Sequence, residues 1–306
     1  MTRGRALRRV ALLIPTCGVV IAALFTLAWV AVGRPQIAAG ATWFKVEKVG
    51  AVHYSGSPTK PFFFLAVGND ARASGPGGAR GDAIHLIGVN PTTHQASMID
   101  IPRDTSAAIP GHGTDKITAS FSYGGIDLEA ETVGNLVGVD IPYAITTDFD
   151  GFIAMVDAMG GIDINVPTKM HDTYSGAFFD PGPQHLNGDE ALRFSRDRHD
   201  FDIGDLRRSE NQGLLIISAL TTLEQQHPGD HGILRLIAIL AAHTQLKGMG
   251  LTDLYRLGHV AFAIDPAQIR NVILPVGSGS GSNLALQGSA QSLFADFRDD
   301  AVLQNH

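Results

Sequence analysis

The chain has 306 residues, 44% of them hydrophobic and 17% charged, with one cysteine and a formal net charge of -7. A single cysteine excludes a disulfide-built scaffold, and the apolar content excludes a disordered or low-complexity chain. The acid excess excludes a globally basic surface, and with it nucleic acid as a partner.

The charge is unevenly placed. Arg3, Arg5, Arg8 and Arg9 precede an uncharged run from Val10 to Val32. A helix of that length, at about 1.5 Å per residue, spans a hydrocarbon core of about 30 Å. The pattern predicts a cytoplasmic N-terminus over 1–9, a transmembrane anchor over 10–32 and a stem over 33–60. Basic residues ahead of the span keep the N-terminus inside and face the remainder of the chain outward, in contact with membrane lipid. A cleaved signal peptide with Ala39-Gly40-Ala41 at its end is the competing reading, although its apolar region is usually only about 7 to 15 residues long. Cys17 lies inside the span. Without the five arginines of the anchor and its flank, including Arg34, the outer part has 18 basic against 30 acidic residues. An anionic ligand therefore has to be captured by a local cluster.

From residue 61 onward, apolar runs alternate with helical patterns, which predicts one α/β domain with a mixed central sheet and helices on both faces. Residues 61–67, 83–89 and 95–101 read as strands, the second and third joined as a hairpin through the Asn90-Pro91 turn. Helices are expected over 127–137 and 149–159, and strands over 143–147 and 162–166. A long helix over 205–225 has a polar first turn and an apolar body, and a second apolar helix covers 233–242. A strand over 269–276 closes the pattern. Residues 277–306 form a C-terminal extension, with a glycine- and serine-rich loop and a short helix.

Three constellations carry chemistry. Arg193, Arg196, Arg198, Arg207 and Arg208 crowd one short stretch of an acidic domain. Guanidinium forks suit phosphate, while the interleaved Asp197, Asp200, Asp202 and Asp205 equally allow a salt-bridged loop. Asp205, Arg208 and Gln212 are spaced to share one helix face. The second constellation is Asp70 and Asp82 at the ends of neighbouring strands, the donor set that Mg²⁺ takes together with phosphate oxygens and water. Turn chemistry is the alternative for both. The third places Arg103, in Ile101-Pro102-Arg103-Asp104-Thr105, and Lys116, in Asp115-Lys116-Ile117, at strand ends. Twelve scattered histidines include no HExxH, and no GxSxG elbow is present.

The segments GNDARASGPGGARGDAIHLIGVNPTTHQASMIDIPRDT, IPGHGTDKITASFSYGG, DFDGFIAMVDAMGGIDINVP, PGPQHLNGDEALRFSRDRH and GDLRRSENQ, in that order, resemble the LytR-CpsA-Psr family over about residues 60 to 275. The resemblance implies a catalytic domain over 61–276 that moves a secondary wall glycopolymer from a polyprenyl-pyrophosphate carrier to peptidoglycan through a phosphodiester, with Mg²⁺. It assigns Asp70 and Asp82 to the metal, and Arg103, Arg196, Arg198 and Arg208 to the pyrophosphate. Asp205 and Gln212 are further polar positions of that pocket, and Lys116 and Arg80 are candidate phosphate contacts. Asp82 or Asp70 is a candidate acceptor for the hydroxyl proton. The helices over 213–223 and 233–242 either line a lipid tunnel or are core. The family usually has a small polar residue at Gly81 and Asn at Thr118.

A polyprenyl-pyrophosphate pyrophosphatase and a non-catalytic, membrane-bound wall regulator are the alternative functions. Six lysines against 17 arginines suggest a GC-rich actinobacterial source and hence arabinogalactan as the polymer.

Overall fold

The computed structural model describes residues 44–48, 60–70, 79–198, 204–226, 229–247 and 251–304. The anchor expected over 10–32 lies outside them, and no helix among the described residues is long and apolar enough to cross a membrane.

In chain order the strands are β1 Phe44–Lys48, β2 Phe62–Asn69, β3 Gly81–Asn90, β4 Gln95–Asp100, β5 Ser106–Ile109 and β6 Gly113–Lys116. Helix α1 Thr118–Val137, strand β7 Tyr143–Thr147 and helix α2 Phe149–Met159 follow. Then come β8 Ile162–Val166, β9 Met170–Asp172, β10 Ala177–Phe179, β11 Gly182–Leu186, and helices α3 Gly188–Arg196, α4 Gly204–Gln226 and α5 Asp230–His243. The chain closes with β12 Thr244–Lys247, α6 Leu251–Ala261, β13 Arg270–Ile273, β14 Val276–Ser278, β15 Leu284–Leu286 and α7 Ser289–Asp300.

Seven strands form one mixed sheet in the order β12-β1-β7-β2-β3-β4-β13. The β3-β4 hairpin turns at Asn90, whose side-chain oxygen accepts from the Thr92 and Thr93 N–H groups, as the Asn-Pro signal predicts. Strand β2 runs antiparallel to β3 and parallel to β7, with a register irregularity at Gly68/Asn69. Two strands of this sheet escape sequence reasoning: β1 lies in the expected stem and pairs with β7 and β12, and β12 follows an apolar helix without a turn signal.

Alternation splits the sheet residues between two faces. Leu65, Val67, Ile84, Leu86, Ile99 and Ile101 pack one face against α1 and α7. The opposite face carries Phe64, Ile87 and Ile145, covered in part by α5 and α6 through Ile237, Leu254 and Leu257. Helices thus cover both faces, as expected.

Local signals place the helices. Asp148 caps α2 by accepting from the Gly151 N–H at 2.8 Å, and Gly160, at φ 93°, ends it. A reciprocal Asn187/Glu190 capping box opens α3. Helix α1 begins nine residues before its expected start and breaks at Gly124 and Gly125, the latter at φ 65°. Apolar periodicity resumes only after that break, so the first turns carry no pattern.

The expected division at residue 276 does not separate packing units. Phe294, Phe297, Ala301 and Leu303 are buried in the same core as Leu65 and Leu86, and Phe297 meets Phe63 edge-on at 5.2 Å. The Gly277–Ser282 segment, expected to be a loop, begins in β14 and turns into the hairpin with β15.

Candidate functional site

Beside the part of the sheet covered by α5 and α6, a cavity of about 770 Å³ lies between the strands and helices α2 and α4. Cross-strand register orders its floor in rows. Thr147, Gly68 and Ala83 form the row nearest the strand ends that carry Asp70 and Asp82; Ile145, Ala66 and His85 form the next; Phe64 and Ile87 lie in the third. Gly68 cannot become a larger residue freely, because a Cβ there would sit 3.2 Å from the Ala83 Cβ. The deep walls are apolar, with Phe152, Met155, Met159, Leu220, Leu223 and Leu236.

The mouth is cationic and tightly cross-linked. Arg103 Nη1 donates to Asp82 Oδ1 at 2.9 Å, and Asp205 Oδ1 lies 3.0 Å from Arg208 Nη2 and 3.8 Å from Arg103 Nε. Arg208 is buried, and its Nη2 reaches the Asp82 carbonyl oxygen at 3.4 Å. Burial lowers the Arg208 pKa below its ordinary value against the pull of Asp205. Burial would do the same to Arg103, but Asp82, Asp205 and Asp104 outweigh it and raise its pKa. Arg196 ends α3 with its guanidinium carbon 5.1 Å from the Phe149 ring centroid. Gln212, one turn deeper than Arg208 on α4, donates to the Ser195 carbonyl at 3.1 Å, while its Oε1 is buried without a partner among the described residues.

The structure brings together Asp70, Asp82, Arg103, Arg196, Arg198, Arg208 and Gln212, all on the cavity wall. It does not bring Arg80 or Lys116 there. Both face an adjoining polar pocket of about 450 Å³ that Arg103 shares, and Lys116 Nζ is held by Asp104 at 2.8 Å. Asp205 stands behind the wall, linking two arginines. The cluster's two readings divide by residue: Arg193 pairs with Asp189 and Arg207 with Glu210 on their own helices, whereas Arg196, Arg198 and Arg208 face the cavity. Helix α4 supplies cavity wall through Leu215, Ile216, Ala219, Leu220 and Leu223, and α5 through Leu236. Leu215 and Leu223 are also packed in hydrophobic clusters, so these helices serve as core and cavity wall together.

The sequence reading passes over His85 and the buried acids Asp100 and Glu129. His85 Nδ1 lies 2.6 Å from Asp100 Oδ1, and both residues are buried. Hairpin register alone pairs 85 with 100, so counting outward from Asn90 and Gln95 finds this contact. Glu129 is fully buried behind Asp82, and burial raises its carboxyl pKa to about 8, against a hydrogen bond from Ser120 Oγ at 3.1 Å. Its signal is a carboxylate on the α1 face that carries Ile126, Ala130 and Val133.

A model of the LytR_cpsA_psr family matches residues 38–293, most of the chain. The chain belongs to the LytR-CpsA-Psr family. Among curated relatives, the polyisoprenyl-teichoic acid--peptidoglycan teichoic acid transferase TagU of Bacillus mycoides (strain KBAB4) is 37% identical over 157 residues, 51% of this chain and 50% of that protein. TagV of Bacillus subtilis (strain 168) is 35% identical over 161 residues, 50% of this chain and 41% of its own. The chain therefore spans about half the length of the curated relatives it matches. The crystal structure of B. subtilis TagV superposes with a TM-score of 0.65 at 25% identity, covering 77% of this chain and 94% of that one. A LytR-Csp2A-Psr enzyme from Actinomyces oris shares the fold with a TM-score of 0.64 at 24% identity, covering 83% and 94%.

Within this LytR-CpsA-Psr domain, the departure at Gly81 has a physical cause. A Cβ at Gly81 would lie 2.8 Å from Glu129 Oε1, so the buried carboxyl fills the space of a small side chain. Thr118 Oγ1 is buried without a partner among the described residues, where the family usually presents an amide.

Asp70 Oδ1 accepts from the Arg80 N–H at 2.7 Å and Asp82 Oδ1 from Arg103. The second oxygen of each carboxylate has no hydrogen-bond partner among the described residues. No group of three or more His, Cys, Asp or Glu there could hold a metal. Two carboxylates completed by phosphate oxygens and water remain a donor set that fits Mg²⁺.

Proposed function

We propose that this protein transfers a glycopolymer from a polyprenyl-pyrophosphate carrier to peptidoglycan through a phosphodiester, outside a membrane in which residues 10–32 anchor it with the N-terminus cytoplasmic. One observation carries the reading: a single cavity joins an arginine-walled mouth to an apolar interior. A ligand with a diphosphate at one end and a hydrocarbon chain at the other matches that gradient. The names of the TagU and TagV relatives support peptidoglycan as acceptor and a polyisoprenyl-linked polymer as donor. Composition favours arabinogalactan as the polymer, and teichoic acid, the polymer of those names, is the competing outcome of wall analysis in a depletion strain.

In this reading Arg103, Arg196, Arg198 and Arg208 hold the diphosphate and stabilise charge as a peptidoglycan hydroxyl attacks the sugar-linked phosphorus. Asp82 and Asp205 orient Arg103 and Arg208. The tail stays in the apolar depth as polyprenyl phosphate departs. Mg²⁺, held by Asp70 and Asp82, would supply charge neutralisation at the phosphates.

Arg196→Ala or Arg208→Ala is expected to slow transfer about 10²- to 10³-fold in a purified system with lipid-linked glycan and peptidoglycan. Full activity in either variant would contradict the assignment. Stripping divalent cations is expected to abolish transfer and added Mg²⁺ to restore it.

A further inference from the structure

The second row of the cavity floor contains one polar side chain. His85 stands between Ala66 and Asp100 in register, with Ala83 one row nearer the mouth and Ile87 one row deeper. Two residues along a strand place it about 6.7 Å inward of the row beside Asp82. On the roof, Gln212 is displaced inward from Arg208 by one helical turn. His85 and Gln212 thus form a polar layer between the arginines and the apolar depth.

Packing alone does not account for this histidine. Its Nδ1 is satisfied by Asp100, but among the described residues Nε2 has no hydrogen-bond partner, and the ring forms part of the cavity wall. A leucine or isoleucine would fill the same row without an unpaired nitrogen. The support behind the ring is built: Asp100 is fully buried, Asn271 on β13 adjoins it, and α4 approaches so closely that a Cβ on Gly213 would lie 2.7 Å from Asp100 Oδ2. Burial raises the Asp100 pKa against the opposing effects of His85 and Asn271, and Glu210 on α4 raises it further. Nδ1 meets the Asp100 carboxyl, so Nε2 is the ring nitrogen left for a ligand, and it donates to a phosphate oxygen when Nδ1 accepts from the protonated carboxyl or when the ring carries both protons.

Resting on the carrier-linked substrate argued above, we propose that His85, held by Asp100, is the subsite for the lipid-side phosphate of a polyprenyl diphosphate, the group that leaves. That phosphate joins the hydrocarbon tail and so lies deeper than the sugar-side phosphate held by the arginines. When the bond from its bridging oxygen to the sugar-linked phosphorus breaks, the lipid-side phosphate gains negative charge. A donor at this position binds it more tightly in the transition state than in the ground state, and its loss falls on kcat.

The test compares two amides in the full-length protein in detergent. Asn at 85 reproduces the Nδ1 contact with Asp100 but has no atom at Nε2; Gln places its amide near Nε2. Farnesyl monophosphate and farnesol are titrated as probes, and transfer kinetics are measured in parallel. The expected result is that His85→Asn loses at least tenfold of the preference for the phosphate, with farnesol affinity unchanged and kcat reduced at least tenfold at a donor KM within about twofold. His85→Gln is expected to retain most of both. A purely structural pairing predicts the reverse order, and that order, or wild-type behaviour in both variants, overturns the proposal. If His85→Asn also loses farnesol, the Gln variant decides: retained kcat supports the subsite and lost kcat overturns it. A wild-type protein that prefers the phosphate but transfers nothing would contradict the transfer function and leave the His85 subsite standing on the binding measurements.

Discussion

Glu129 is a fully buried acid packed beside Gly81 and Asp82. Its carboxyl, at about 8 in the folded protein, holds a proton that the unfolded chain releases near its ordinary value of 4.5. The folded state therefore binds more protons between these values, and stability falls as pH rises from about 4.5 to 8. Glu129→Gln keeps the shape and the Ser120 contact without the ionisation, so it should stabilise the protein by an amount that grows across that window to roughly 4 kcal/mol at pH 8. Thermal unfolding at pH 5 and pH 8 checks the sign: the variant's advantage is expected to be several-fold larger at pH 8 than at pH 5, where it is about 1 kcal/mol. Gly81→Ser should cost about 1 to 3 kcal/mol alone, because its Cβ meets the Glu129 carboxyl, and much less in a Glu129→Ala background. Seen in sequence, Gly81 is only a departure from a family pattern. Its cause lies 48 residues away on another element, where no local rule reaches.

At the scale of elements, α4 couples the mouth to the core. Its first turns carry Asp205, Arg208 and Gln212, its body carries Leu215 and Leu223, and Gly213 lets it settle on β4 and β13. On an isolated helix Gly→Ala gains about 1 kcal/mol. Here a Cβ would strike the Asn271 amide, so Gly213→Ala should instead destabilise by about 1 to 3 kcal/mol and lower the melting temperature. Helices α2 and α4 were legible to within a residue or two, α2 because its Asp148 cap agrees with its apolar pattern and α4 because its apolar body is also core and cavity wall. Strands β1 and β12 were not, since strands of five and four residues at this end of the sheet take their identity from pairing with β7 and with each other. Charge alone made the arginine cluster legible only as a cluster, whereas the family resemblance singled out Arg196, Arg198 and Arg208, the members on the cavity wall. Which members face the cavity depends on the end of α3 and the start of α4, and Lys116 was lost to Asp104 across the β5-β6 hairpin.

For the whole molecule, the cavity owes its shape to a sheet that is sealed on its other face. Phe297 on α7 closes that face against Phe63, and Gly88 lets the C-terminal segment approach, because any side chain there would run into Ala301 and the Phe297 ring. Phe297→Ala should cost about 3 to 5 kcal/mol in an unfolding titration, although it touches no part of the cavity. The acid excess of the sequence excludes a diffuse anion-binding surface, and the fold answers with one local concentration of arginine at the open end of an apolar chamber. That arrangement is the basis of the transfer reaction proposed here. The most direct measurement is mass spectrometry of muropeptides after the purified full-length protein is incubated with Mg²⁺, polyprenyl-diphosphate-linked glycan and peptidoglycan. A glycan joined to the muropeptide by a phosphodiester, absent with Arg196→Ala, is the expected result. Free phosphorylated glycan alone, or an adduct that survives the substitution undiminished, would contradict it.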